Sequence, residues 1–166
     1  MHIRPVLALP AVAVALLLAV PQSGSAAARP ARCAEKAVTI QAHRSADPTL
    51  LHLGVTNHSA RACTVDRIPT VVFGDLDGAA LPVPAGQSGP YRLEAGRTAY
   101  AALRTIADPA DPEARRVDSI GVSADPSRFG RTFTARELGV GRVVLVWEPV
   151  TSWWKSSQAA ADRALR

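Results

Sequence analysis

Residues able to do chemistry are few in this chain, and the densest group is "TNHSARACTV", Thr56 to Val65. It holds an asparagine, a histidine, a serine and Cys63, one of only two cysteines. A cysteine near a histidine is material for a thiol nucleophile or a metal ligand. Both uses need a reduced thiol, and Cys33, thirty residues upstream, does not give zinc-site spacing. In an exported chain the two cysteines have only each other to pair with, so the reading is a Cys33–Cys63 disulfide. Closing a loop of that length is worth about 3.6 kcal/mol on the chain-entropy account. Asn57-His58-Ser59 also matches a glycosylation sequon.

Three further constellations bear on function. His43 and His52 fall on outward faces of consecutive predicted strands; if those strands pair, the imidazoles approach and can ligate copper or zinc. No third ligand stands out, and the only methionine is Met1. An extracytoplasmic metal-binding protein is therefore the alternative reading. "AGQSGP", Ala85 to Pro90, sets Ser88 in surroundings like those of a trypsin-type nucleophile. Pro90 breaks Gly-x-Ser-x-Gly, and a two-barrel protease needs more chain than this. "DLDG", Asp75 to Gly78, lacks the later acidic positions and closing glutamate of a calcium loop and reads as a turn. The expectation is no enzyme and no cofactor.

The elements that would position these residues begin after an export signal. Arg4 supplies a positive charge, Val6 to Val20 an apolar run of fifteen residues, and Ala26 to Ala28 small cleavage positions. That run is shorter than the roughly 20 residues a spanning helix needs, and Pro10 interrupts it. The chain divides into a signal peptide over 1–28, a β-sandwich domain over 29–150 and a tail over 151–166. No transmembrane anchor is expected once the signal is cleaved, and the place of action is extracellular. The excess of Lys and Arg over Asp and Glu, 19 against 14, is interspersed rather than clustered, which argues against nucleic acid as a partner.

Short apolar runs cut by turn residues fill the domain. Val38 to His43 alternates, and Leu51, Leu53 and Val55 face away from His52 and Thr56. "FGDLDGAALPV" reads as a hairpin turned around Asp77-Gly78, and Ala99, Ala101 and Leu103 mark another alternating strand. Runs at Thr70–Phe73, Val117–Ser123, Arg131–Thr134 and Val143–Trp147 bring the count to seven or eight short strands, a sandwich with a closed barrel as the other choice. Ser156 to Arg166 is alanine-rich and predicts a short helix capped by Ser156 or Ser157. Before it, Trp153 and Trp154 cannot both face one core. The reading is one indole packed and one partly exposed; the alternative is a partner surface, which the proline-stiffened loop from Leu81 to Tyr91 also offers.

A cysteine opening the domain, "VTNHSARACTV" (Val55 to Val65), Pro69 before a β-run and "LEAGRTA" (Leu93 to Ala99) together resemble the actinobacterial secreted domain of unknown function 4232. Arg67-Ile68-Pro69 stands where that family has a Gly-[Tyr/Phe]-Pro turn, and Ala95 where it has a proline before glycine. The resemblance implies an immunoglobulin-like β-sandwich, exported, with no catalytic residues to carry over. In that pattern Asn57 and Ser59 shape a turn and Cys63 pins the next segment. The expected function is a secreted, non-catalytic binding module for an unknown protein or cell-wall component.

Overall fold

A computed structural model describes residues 31–128 and 130–166. The apolar leader and its cleavage positions lie outside the described residues. Among the described residues, twelve strands follow a 3-10 turn at Glu35–Ala37. They are β1 (Val38–Arg44), β2 (Leu50–Asn57), β3 (Cys63–Asp66), β4 (Thr70–Phe73), β5 (Leu81–Val83) and β6 (Pro90–Leu93). Then come β7 (Thr98–Arg104), β8 (Arg115–Val117), β9 (Ser119–Ser123), β10 (Arg131–Thr134), β11 (Val144–Val146) and β12 (Val150–Ser152), with one helix, α1 (Gln158–Arg163).

The fold is mostly β with a short C-terminal helix, and none of its sheets closes into a barrel among the described residues. Five strands form the main sheet in the order β1-β2-β7-β12-β5; β10-β9-β4, β11-β8 and β3-β6 form smaller ones. Alternation decides which side of each strand is dry. Leu51, Leu53 and Val55 of β2 and Ala99, Ala101 and Leu103 of β7 face the core, as their spacing predicts. There they meet Val71 and Phe73 of β4, Ile120 and Val122 of β9 and Phe133 of β10. One core thus lies between the main sheet and the smaller ones.

Three expectations change. Among the described residues the strands number twelve rather than seven or eight, because β3, β6, β8 and β12 are three or four residues each, too short to show a period. The hairpin around Asp77-Gly78 does not form. After Ala80 donates its N–H to Val71 the chain leaves β4, and β5 pairs in parallel with β12 in the other sheet. Gly78, at φ 93°, turns a crossover between sheets rather than a hairpin. The stretch from residue 151 is built into the domain: β12 pairs with both β7 and β5, and the six-residue helix is capped by Ser157. Its Ala161 and Leu165 pack over Ala102, Leu50 and Val150 on the outer face of the main sheet.

Candidate functional site

The stretch that looked most chemical is a structural corner. Asn57 ends β2 fully buried, and its Nδ2 donates to the carbonyls of Arg61 (2.9 Å), Leu93 (3.1 Å) and Glu94 (3.3 Å). Its Oδ1 accepts from the N–H and hydroxyl of Ser59 at 2.9 and 2.7 Å. One amide thus satisfies backbone groups from two segments, 59–61 and 93–94. A sequon whose Nδ2 is buried and committed to three carbonyls offers no nitrogen to a glycan. Cys63 beside it bonds Cys33 across 30 residues, and the Cys33 N–H donates to the Thr64 carbonyl at 2.8 Å.

The same corner holds Asp125, whose side chain is 11 % exposed and pairs with Arg32 Nη1 at 2.9 Å. Burial alone would raise its pKa. Hydrogen bonds from the Ser127 hydroxyl and N–H, with the charges of Arg32 and Arg128, outweigh that and hold it below the usual carboxylate value. Ser88 donates its hydroxyl to the Asp66 carboxylate, so its partner is an acid and not an imidazole.

His43 and His52 do meet. They are direct antiparallel partners, with ring centroids 5.6 Å apart and planes perpendicular. Among the described residues, no three His, Cys, Asp or Glu side chains stand together closely enough to hold an ion as they are. The third group that the sequence did not suggest is Asp162 of α1, whose Oδ1 lies 3.2 Å from His52 Nε2.

The two tryptophans part company. Trp154 is 2 % exposed and belongs to the core. Trp153 is half-buried, and its Nε1–H donates to the Pro84 carbonyl at 2.9 Å while the Arg67 guanidinium stacks 5.4 Å from the ring centre. A Cβ on Gly86 would overlap its ring, so a glycine is needed there. The two surfaces predicted separately, Trp153 and the Leu81–Tyr91 loop, are therefore one: the loop lies on the indole.

A different tryptophan is open. Trp147, half-buried, lines a cleft of about 400 Å³ with Asp77, Arg115, Glu148 and the rims of Phe73 and Pro149. Glu148 is the only residue other than glycine with positive φ among the described residues, at 45°. Sequence reading passed over this place. The available signal was Trp147-Glu148-Pro149, an aromatic and an acid just ahead of a strand-breaking proline. Arg115 reaches it from β8 and Asp77 from the crossover, two segments whose meeting no local pattern announces.

Residues 33–154 match the family model described as "Domain of unknown function (DUF4232)". The chain belongs to this family. Neither the curated proteins nor the solved structures contain a match to it. The match to DUF4232 begins at Cys33 and ends at Trp154, so it spans the disulfide, the Asn57 corner, the Trp147 cleft and the loop-covered indole. It stops before α1, and the DUF4232 match therefore does not include Asp162.

Proposed function

We infer that this chain is an exported, non-catalytic binding module that takes a cell-wall component in the cleft beside Trp147. The observation that carries the reading is Glu148, held in left-handed backbone at the mouth of that cleft. Such a conformation costs a non-glycine residue of order 1–3 kcal/mol and clusters where ligands bind. The surrounding groups support a hydroxyl-bearing polymer as ligand. An indole face suits sugar C–H groups, while Asp77, Glu148 and Arg115 offer hydrogen-bond acceptors and donors to hydroxyls. Export is supported by the apolar leader and by the disulfide, a bond kept in oxidising compartments. Among the described residues no helix is long and apolar enough to cross a membrane. The pairing of Ser88 with a carboxylate supports a role without catalysis.

Co-sedimentation of the purified protein with the producing organism's cell-wall fraction, at low and high salt, tests this. Salt-resistant pelleting is expected, lost in Trp147→Ala and kept in Trp153→Ala. Pelleting that salt releases, or that survives Trp147→Ala, would remove the cleft as the site and turn the search to protein partners.

A further inference from the structure

We propose that His43, His52 and Asp162 bind one zinc or copper ion, which clips the C-terminal helix to the outer face of the main sheet. The evidence is in the spacing of the donors. His52 Nε2 is buried and makes no hydrogen bond, although Asp162 Oδ1 is only 3.2 Å away. The pair is close enough for a bond but lacks the alignment of one. Two donors held about 2.0–2.1 Å from one tetrahedral ion stand roughly 3.3 Å apart. The contact therefore has the separation of two ligands on a shared ion.

His43 supplies the third. It is the direct cross-strand partner of His52, and its ring centroid lies 5.6 Å from that of His52. Two imidazoles on one tetrahedral ion keep their centroids roughly 5 Å apart, from the same bond lengths. As they stand the three donors do not converge. The missing movement belongs to His43, which is exposed and free to rotate about its side-chain bonds. Asp162 is already oriented, since its Oδ1 accepts from Gln158 Nε2 at 2.9 Å, one helical turn earlier. Two imidazoles and a carboxylate select zinc or copper(II) over calcium or magnesium, which prefer oxygen alone. Water would complete the shell from the exposed side of His43.

The site shares no residue with the cleft at Trp147, so either can fail without the other. It also gives the helix a purpose. The helix has six residues and a small apolar contact through Ala161, with Leu165 just beyond its end, which an ion bridging β1, β2 and α1 would reinforce.

Isothermal titration of the untagged, chelator-stripped protein with zinc and then copper chloride is the test. One ion per chain is expected. Affinity should fall by at least the roughly tenfold that loss of even a supporting partner costs in His43→Ala, His52→Ala and Asp162→Asn. His58→Ala, which removes a histidine bonded to Thr39 instead, should bind as the parent does. Saturating metal should also slow amide exchange over residues 158–165. Absence of saturable binding overturns the proposal. Full affinity in His43→Ala or Asp162→Asn does the same, leaving His52–Asp162 an ion pair; neither change disturbs the core, so misfolding does not obscure the result.

Discussion

Asn57 ends β2 and Glu148 sits in the link between β11 and β12, and the fold uses these two polar residues in opposite ways. Asn57 is fully buried and every polar atom of its side chain has a partner. Glu148 is exposed, and its backbone is held where glycine would sit more easily. The first arrangement stabilises the fold and leaves nothing for a ligand. The second costs stability and leaves an indole, two carboxylates and a guanidinium facing a cleft. The contrast teaches that residue types suited to chemistry are not evidence of it. Unsatisfied or strained groups beside an opening are the stronger sign, because folding alone gives no reason to keep them.

Removing Asn57 should have the largest effect. Asn57→Ala empties a fully buried site and takes the amide partner from the buried Leu93 carbonyl, the part-buried Glu94 carbonyl and the Ser59 N–H, and a loss of about 4 kcal/mol is expected in urea unfolding. An effect under about 1 kcal/mol would mean that water replaces the amide and the corner is not a keystone. Next comes the covalent tie in the same corner. Cys33→Ala with Cys63→Ala should cost about 3.6 kcal/mol yet leave wall pelleting intact at temperatures where the protein stays folded. Pelleting lost together with the disulfide would merge the two regions that the comparison keeps apart.

Glu148→Gly should act in the other direction. Relief of the left-handed backbone is expected to raise stability by about 1 kcal/mol while weakening pelleting, a split that a purely structural residue would not produce. The smallest effect belongs to Asp125. Its folded pKa lies below the unfolded one, so its contribution is present above roughly pH 4 and is lost as pH falls through the folded value. The stability gap between the parent and Asp125→Asn should therefore be full at neutral pH and close in acid. A gap that stays constant down to about pH 2 would show that hydrogen-bond shape, and not charge, matters there.

Much of the framework was legible because its signals are local. The alternation of Leu51, Leu53 and Val55 needs only the two-residue period of a strand, and it also places His52 on the outer face opposite His43. Two cysteines leave one intrachain pairing, which is the one observed. A serine cap at 156 or 157 was readable because capping acts within four residues, and Ser157 takes the place. "FGDLDGAALPV" misled for the same reason. Asp77-Gly78 promises a turn, but whether the chain then returns to its own strand or crosses to another sheet depends on which edge is free.

The sequence by itself determined the strand faces, the one possible cysteine pairing and a last helix capped by Ser156 or Ser157. All of these follow from bonds and periods spanning a few residues, or from a pairing with no rival. Only the tertiary structure decided that Trp154 is buried, that Trp153 is covered by Gly86 and Pro84, and that Trp147 is left open. It also decided that Asp162 reaches His52. These outcomes depend on which distant segment covers which face. Burial is non-directional and set by the whole packing, so no local pattern encodes it.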